Sequence, residues 1–241
     1  MIKLVTTTLT LLLSSLVLTS TAQHAIKSDS LNAAMQKIAE PSGVPGFLKF
    51  KEGSKINPVT IFTQHREAFN LGDNDEMRLF KTETDELGFT HHRYKQFYNN
   101  IEVDGAIFIV HTNNKGFTYA ANGFILPGAN LGTIPAINAG QAIASALKKV
   151  NASSYKWQSP EREKELKTRT GNPDTSYYPK PTLVLRAVAK NGAAAGTLPG
   201  VCRLAYRIDM YALTPDYAQR IYVDAQTGEV MNAIPLQSSG E

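Results

Sequence analysis

Four short segments between residues 89 and 126 constrain the fold more than any other part of this 241-residue sequence. Each is rich in β-branched and aromatic residues, as is typical of strands. The segments are 89–98, 101–103, 106–112 and 117–126. Asn99-Asn100 and the run 113–116 act as turns, and connections this short join antiparallel neighbours. The sequence therefore predicts an antiparallel meander in this region.

Helical patterns flank the meander on both sides. Apolar residues at helical spacing predict helices over 28–38 and about 62–71. Beyond the meander, Asn138 and Gln141 have the spacing of a capping box that starts a helix ending near Val150. Three more strands are predicted, over 182–189, 201–211 and 220–231. These elements predict an α+β fold with two subdomains, each an antiparallel sheet packed against one or two helices.

The first 22 residues are predicted to be a signal peptide rather than part of the fold. Lys3 gives a positive start, residues 4–18 carry no charge, and Ser20-Thr21-Ala22 supplies the small residues that a signal peptidase reads. A membrane anchor is the alternative, but the apolar run is short, is broken by Thr and Ser, and lacks a basic flank. We expect cleavage after Ala22, which makes the protein secreted or periplasmic, with no membrane association afterwards.

Charge and cysteine content narrow the classes of partner. The net charge of +4 is too small a surplus for the phosphate-binding surface of a nucleic-acid protein, so no nucleic acid is expected. Cys202 is the single cysteine, which excludes an internal disulfide and a four-cysteine zinc site. Strand alternation places Cys202 on an apolar face with Leu204 and Ile208. This favours burial over the alternative, a thiolate that blocks a metal in a partner enzyme.

The sequence contains none of the strong enzyme motifs. HExxH, GxSxG, GxGxxG, the Walker A loop and the EF-hand spacing are all absent. His91 and His111 are expected on neighbouring strands, where they either pair with a carboxylate or backbone group or bind a metal ion. A metal-dependent enzyme that uses these two histidines therefore stays as an alternative.

A strand over 89–98 puts alternate side chains on opposite faces. One face carries Tyr94, Gln96 and Tyr98, and the other carries His91 and Arg93. Two interpretations fit this pattern. The first is cross-strand packing with hydrogen-bonded polar tips, and the second is a recognition face on an exposed sheet.

Two stretches of the sequence resemble known families. A resemblance to the FTP (fungalysin/thermolysin propeptide) motif lies in LGFTHHRYKQFYNNIEVDG at 87–105, followed by Val110-His111 and Gly116. A resemblance to the closing strands of a PepSY domain, a cystatin-like fold, lies in LAYRI at 204–208 and YVDAQTGEV at 222–230. The residues that match the FTP motif are His91, Arg93, Tyr94, Gln96, Tyr98, Gly105 and His111, and those at the PepSY end are Tyr222, Val223, Asp224 and Gly228. Gly228 is expected in a turn with positive φ.

The resemblance implies a secreted propeptide, which in that family precedes a zinc metalloprotease domain, assists its folding and inhibits it until it is cut away. The implied organisation is a signal peptide at 1–22, an FTP-like subdomain at 23–126, a PepSY-like subdomain at 127–234 and a junction at 235–241 to a catalytic domain outside this sequence. No cofactor is expected in this chain, since zinc and calcium would belong to the protease domain. The implied partner is that catalytic domain, in cis if the precursor is longer.

An inhibitor of an endopeptidase also needs an extended segment that enters the substrate cleft as a strand does. The expected cleft-blocking residues are Met231, Asn232, Ala233, Ile234, Pro235 and Leu236. A freestanding exported protease inhibitor or binding protein with the same fold is the alternative to the tethered propeptide.

Overall fold

The computed structural model describes residues 31–126 except 43 and 45, residues 131–188 and residues 201–236. The predicted signal peptide at 1–22 and the last part of the expected junction, 237–241, lie outside the described residues. In the described part of the chain, no helix is both long enough and apolar enough to cross a membrane.

The described residues form eleven strands and four α-helices, which confirms the α+β class. The helices are α1 (Ala33–Ile38), α2 (Ile61–Gln64), α3 (Ala139–Val150) and α4 (Pro160–Thr170), with a short 3-10 helix at Lys156–Gln158. The strands are β1 (Ala39–Pro41), β2 (Phe47–Phe50), β3 (Asp75–Thr84), β4 (Thr90–Tyr98), β5 (Ile101–Thr112), β6 (Thr118–Gly123), β7 (Ser154–Tyr155), β8 (Thr182–Val188), β9 (Val201–Thr214), β10 (Tyr217–Asp224) and β11 (Val230–Pro235).

These strands belong to one open sheet. Its main order is β1-β2-β6-β5-β8-β9-β10-β11, with β4 and then β3 branching from β5 and with β7 pairing with β9. The predicted meander is present, because β3, β4, β5 and β6 pair antiparallel in sequence order. Strand β5 also pairs in parallel with β8, through 102–104 and 184–186. This pairing joins the two antiparallel groups of strands into a continuous sheet.

Strand β5 reaches two sets of neighbours because it is bulged in its middle. Residues 103–106 stand opposite Gln96 alone. Gly105 within this bulge has a φ of +84°, a left-handed conformation that favours glycine. The sequence predicts separate segments at 101–103 and 106–112, and the structure joins them into one bulged strand.

The capping box predicted for α3 is confirmed. Asn138 Oδ1 accepts a hydrogen bond from Gln141 N at 3.0 Å, and Gln141 Oε1 accepts one from Asn138 N at 2.8 Å. Helix α1 begins at Ala33, where Asn32 Oδ1 accepts a hydrogen bond from Met35 N at 2.7 Å. Both helices therefore start at an asparagine whose side chain satisfies a free backbone donor.

The predicted helix at about 62–71 is wrong in length. Helix α2 ends at Gln64, and the chain continues through turns to Asn70, whose φ of +52° is left-handed. Phe69 and Leu71, which lie beyond the end of α2, are buried all the same. The helical spacing of these apolar residues therefore reflects their burial rather than a continuous helix.

The predicted strand at 220–231 is two strands in the structure. Strand β10 ends at Asp224, whose Oδ1 accepts hydrogen bonds from Gln226 N and Thr227 N at 2.8 and 3.1 Å. Gly228 has the expected positive φ, +77°, and donates its N–H to the Asp224 carbonyl at 2.9 Å. The turn lies inside a stretch with strand-like composition, which is why the composition predicts a single strand.

Two hydrophobic cores pack on the sheet. The first contains residues of α1 and α2 together with β2, β4, β5 and β6. The second packs α3 against β8, β9 and β10 and includes Cys202, which is 5% exposed, so its predicted burial is confirmed. Burial raises the pKa of the Cys202 thiol to about 11, which keeps the thiol protonated and unreactive at neutral pH.

Replacing Gly228 with Val should destabilise the turn between β10 and β11. A β-branched residue disfavours a φ of +77°, and such strain costs about 1–3 kcal/mol. Urea titration should show a free energy of unfolding lower by that amount. Gly132→Val is the matched control, because an added Cβ there meets nothing within 4 Å and no positive φ is involved. Equal stability of the two variants would contradict this account of the turn.

Candidate functional site

Strand β4 carries most of the residues that resemble the FTP motif. Tyr94, Gln96 and Tyr98 are buried on one face, with 2%, 0% and 5% of their surface exposed. His91 and Arg93 lie on the opposite face and are partly exposed. The first face therefore packs inside the protein, as the cross-strand packing interpretation holds.

The two tyrosines place β4 in both cores. The ring of Tyr94 packs edge-on against Phe62 with 4.8 Å between ring centroids, and its hydroxyl donates to the Pro58 carbonyl at 2.5 Å. Burial raises the pKa of Tyr94 to about 12, so the hydroxyl keeps the proton that it donates. Tyr98 belongs to the second core, in the same cluster as Leu185. One strand thus connects the two cores.

Gln96 makes the polar contacts opposite the bulge of β5. Its Nε2 donates to Asp75 Oδ1 at 2.8 Å and to the Leu126 carbonyl at 2.7 Å, and its Oε1 accepts from Leu126 N at 2.7 Å. Burial raises the pKa of Asp75, and the hydrogen bond from Gln96 opposes that rise. A single buried amide thereby links the start of β3, the middle of β4 and the chain that follows β6.

His91 and His111 face each other on β4 and β5, as the sequence predicts. Their Nδ1 atoms are 2.7 Å apart. His91 Nε2 lies 3.2 Å from Asp85 Oδ2, and His111 Nε2 lies 2.5 Å from Asn122 Oδ1. The four side chains form a hydrogen-bonded chain that runs from the β3–β4 turn to β6.

This geometry limits the number of protons that the two imidazoles hold. One proton occupies the contact between the Nδ1 atoms, because two N–H groups cannot point at each other over 2.7 Å. Burial lowers the pKa of His111, the nearby charges of His91 and Arg93 lower it further, and a hydrogen bond to Asn122 opposes them. The lowered pKa keeps His111 neutral at neutral pH, and Asp85 Oδ2 accepts a hydrogen bond from His91 Nε2.

The ring nitrogens of this histidine pair are occupied by hydrogen bonds. Both Nδ1 atoms serve the mutual contact, and both Nε2 atoms contact Asp85 or Asn122. Within the described ranges, no group of three or more His, Cys, Asp or Glu side chains is arranged to hold a metal ion. In this structure the two imidazoles contact each other, Asp85 and Asn122.

Arg93 aligns β4 with β3. Its Nε donates to Glu83 Oε2 at 2.9 Å, and Lys81 Nζ lies 2.6 Å from the other carboxylate oxygen of Glu83. Hydrogen bonds from Lys81 and Arg93 lower the pKa of Glu83. Because these side chains are exposed, the pair contributes little to stability and mainly favours this strand register.

A second polar cluster lies where β5 meets β8, β9 and β10. Asp104 is 8% exposed and accepts hydrogen bonds from Arg186 and Arg207 at 2.7 Å each. The Tyr222 hydroxyl donates a hydrogen bond to Asp104 at 2.8 Å. Glu102 accepts hydrogen bonds from both Nη atoms of Arg207, at 3.3 and 3.2 Å. Burial by itself raises the pKa of Asp104, but the Tyr222 hydroxyl and the guanidinium groups outweigh burial and hold the pKa below its usual value.

Tyr222 is among the residues expected from the sequence, whereas its charged partners are not. The contacts of Arg186, Arg207 and Tyr222 with Asp104 span 82, 103 and 118 positions, so no local pattern brings them together. One signal is present in the sequence. Arg203 and Arg207 share the face of β9 opposite Cys202, where a strand with one buried face carries its polar residues.

The other residues of the PepSY-like end hold the last hairpin. Val223 lies in the second core. Asp224 is 4% exposed. Its carboxylate accepts a hydrogen bond from Arg203 Nη1 at 3.2 Å, in addition to those from the backbone N–H groups of Gln226 and Thr227. Gly228 supplies the left-handed turn between β10 and β11.

The segment expected to enter a protease cleft is paired within the sheet. Met231, Asn232, Ala233, Ile234 and Pro235 belong to β11, and Leu236 N donates to the Ala218 carbonyl at 2.9 Å. Since β11 ends the sheet order, its outer edge has no partner strand among the described residues. The segment is an edge strand, a geometry to which a further extended chain can pair.

Replacing Gln96 with Leu should destabilise the fold, because buried partners at Asp75 and Leu126 lose their hydrogen bonds. Each unpaired buried group costs about 1–3 kcal/mol, so the free energy of unfolding in urea should fall by about 2–4 kcal/mol. Gln64→Leu, at an exposed residue of α2, is the matched control. Equal stability of the two variants would show that Gln96 does not hold the bulge.

His111 should make the stability of the fold depend on pH. Its pKa is lower in the folded protein than in the unfolded chain, where it is about 6.5, so the unfolded chain binds more protons. The stabilisation that neutral His111 provides is fully present above the pKa of His111 in the unfolded chain. It is lost as the pH falls through the lower pKa of His111 in the folded protein. The free energy of unfolding should therefore fall below about pH 6.5, and His111→Gln should weaken this dependence.

The control for this experiment is His65→Gln, since His65 lies outside the hydrogen-bonded chain of His91 and His111. It should keep the wild-type dependence of unfolding on pH. The same slope in wild type and in His111→Gln would refute the assignment of His111 as a buried neutral imidazole.

Comparison with known proteins identifies relatives of this chain. Residues 75–124 match the FTP family, described as Fungalysin/Thermolysin Propeptide Motif. Over 199 residues the chain is 30% identical to thermolysin from Alicyclobacillus acidocaldarius subsp. acidocaldarius and to thermolysin from Bacillus caldolyticus, covering 80% of this chain and 32% of each relative. Bacillolysin from Bacillus amyloliquefaciens is 26% identical over 171 residues, which cover 70% of this chain and 29% of the relative.

The chain thus spans about a third of the length of these relatives. Among solved structures, the Bacillus megaterium YpeB C-terminal domain aligns with 11% identity and a TM-score of 0.35, over 83% of this chain and 76% of that one. The stretch that resembles the FTP motif lies within the matched residues 75–124. The resemblance to the FTP motif is confirmed: residues 75–124 carry a Fungalysin/Thermolysin Propeptide Motif, and the chain is similar to thermolysin over 80% of its length.

Proposed function

We propose that this chain is the secreted propeptide region of a thermolysin-like zinc metalloprotease, and that it acts as intramolecular chaperone and inhibitor of the catalytic domain. The observation that carries the proposal is the propeptide motif at 75–124, which forms β3, β4, β5 and β6. Similarity to thermolysins and bacillolysins over most of the chain supports it.

The contacts of the motif residues fit this role. An inhibitor or folding template needs a rigid surface and an extended segment, and it needs no catalytic group. Tyr94, Gln96 and Tyr98 are buried, and His91 and His111 hydrogen-bond each other. These contacts stabilise a sheet on which a partner can dock.

The inhibitory contact is proposed for Met231 to Leu236. In β11 this segment already has the extended conformation of a protease substrate, and its outer edge faces away from β10. A strand of the enzyme, or the rim of its cleft, can pair with that edge through backbone hydrogen bonds. Pro235 has no N–H to donate and so limits how far such pairing extends.

The remaining parts of the proposal follow the resemblance. Residues 1–22 are the signal peptide, 23–126 the FTP-like subdomain, 127–234 the PepSY-like subdomain and 235–241 the junction to the catalytic domain. Zinc and calcium belong to that domain. The site of action is the cell exterior or the periplasm.

A covalent tether turns modest affinity into effective inhibition. A short flexible connection gives an effective concentration on the order of millimolar, so weak docking is enough while the tether is intact. Cutting the tether removes this advantage and releases the enzyme. A freestanding inhibitor would lack it and would need a higher intrinsic affinity.

Reading the gene downstream of Glu241 separates these two possibilities. An in-frame domain with HExxH supplies the cognate enzyme, whereas a stop codon favours the freestanding inhibitor. The cognate domain, or thermolysin from Alicyclobacillus acidocaldarius where none is encoded, is the test protease.

The decisive experiment refolds the denatured test protease with and without an equimolar amount of the purified chain. We expect more active enzyme on casein when the chain is present, and lower activity when the chain is added to native enzyme. The Gln96→Leu variant is the control. Because its sheet is less stable, it should assist refolding of the protease less and inhibit the native protease less. Absence of both effects with the wild-type chain would overturn the proposal.

A further inference from the structure

Four arginines of β8, β9 and β10 lie on one face of the sheet, the arginine face: Arg186, Arg203, Arg207 and Arg220. Strand register sets this arrangement, because Arg186 is the cross-strand partner of Arg203, and partners point to the same side. Leu204 and Ile208 alternate with the arginines of β9 and point into the second core, where α3 packs. The arginine face is therefore the side of the sheet opposite α3.

The arginines of this face are more exposed than the carboxylates that they pair with. The side chain of Arg203 is 55% exposed and that of its partner Asp224 is 5% exposed. The side chain of Arg186 is 24% exposed against 9% for that of Asp104, and the other two arginines follow the same order. Asp224 and Asp104 lie clearly deeper than Arg203 and Arg186, so at these two pairs the layer that faces solvent is positive although the charges are paired.

The arginine face is also well ordered. The guanidinium of Arg186 lies 4.3 Å from the ring centroid of Tyr222. Arg220 binds Asp209 through two hydrogen bonds of 2.7 and 2.9 Å. Side chains held in this way lose little conformational entropy on binding, and arginine is enriched in protein interfaces.

A cavity of about 250 Å³ opens beside the arginine face. Its lining includes Lys180, Arg207 and Arg220, the hydroxyl groups of Ser176 and Tyr211, and the single carboxylate of Asp209. Tyr178 and Thr182 add two more hydroxyl groups to this lining, and three cations around one acid favour a negatively charged, hydrogen-bond-accepting group. A carboxylate side chain has the matching charge and acceptor geometry.

We propose that the arginine face docks onto an acidic patch of the protease domain, with one carboxylate side chain of that patch in the cavity. The inference rests on the proposed function and adds which side of the propeptide meets the enzyme. Complementary charge of this kind fixes the orientation of a complex and speeds its association.

An acidic protein surface fits the face better than a phosphate polymer or an anionic membrane. Four carboxylates lie within it: Glu102, Asp104, Asp209 and Asp224. They repel a continuous row of phosphates, whereas a protein can place its acids against the arginines and its own donors against these carboxylates.

The first test measures inhibition of the test protease by surface variants of the full chain. Arg203→Glu and Lys180→Glu should each weaken inhibition about tenfold or more. Lys148→Glu makes the same change of charge on the exposed side of α3 and should leave inhibition within about twofold of wild type. Circular dichroism and thermal unfolding check that each variant is folded, and Lys180→Glu keeps the ion pair of Arg203 intact.

The second test needs no protease. An NMR titration of the full chain with poly-L-glutamate should shift backbone amides of β8, β9 and β10 and leave those of α3 unchanged, and salt should reverse the shifts. Vesicles of phosphatidylglycerol and duplex DNA are the competing probes. Tighter binding of either at the arginine face would overturn the assignment to an acidic protein.

The outcomes separate the inference from the proposed function. Inhibition that is equally strong in Arg203→Glu, Lys180→Glu and Lys148→Glu would overturn the arginine face as the docking surface and leave the inhibitor role standing. No inhibition by the wild-type chain, together with poly-L-glutamate bound at the arginine face, would overturn the inhibitor role and support an acidic protein partner of another kind. Poly-L-glutamate shifts outside this face would overturn the inference in either case.

Discussion

The continuous sheet depends on the point where one neighbour of β5 changes from β8 to β6, while β4 pairs with β5 on both sides of that point. Residues 102–104, which reach into the bulge, pair in parallel with β8, and residues 108–112 beyond the bulge pair with β6. Gly105 makes the bulge possible through its positive φ, and Gln96 fills the space opposite with a satisfied amide. The FTP motif therefore contains both the glycine and the amide that let one strand belong to both halves of the molecule.

The same bulge determines where the buried charge lies. Asp104 directly precedes Gly105 and meets Arg186, Arg207 and Tyr222 on the face opposite the second core. A buried carboxylate is tolerated only when it is paired, and removal of one partner from such a cluster costs more than the pair itself contributes. A slip of β5 by one residue would turn Asp104 into the apolar core, so the cluster selects the correct register of β5 against β8.

Local patterns account for the elements predicted from the sequence, and long-range pairing accounts for those that were missed. The meander follows from short turns, α3 from the capping box of Asn138 and Gln141, and the burial of Cys202 from strand alternation. The parallel pairing of β5 with β8 joins residues about 82 positions apart, for which the sequence carries no local signal. The sequence does not predict the end of α2, because buried apolar residues continue beyond it. It does not predict the turn after Asp224, because strand-like composition continues across that turn.

The sequence separation between contacting residues offers a reason why the FTP motif precedes the second half of the chain. The hairpins of β3 to β6 pair neighbours in sequence, so they can form before the rest of the chain is ordered. The second half must close contacts of 82 to 118 positions onto β5, and a preformed strand lowers the entropy cost of that closure. The proposed chaperone role would extend this order by one step: the motif orders the second half of the chain, and the arginine face of that half would then offer an ordered surface to the enzyme. On this view a weakened bulge at Gly105 impairs folding assistance through β8 and β9, far from any contact that it makes itself.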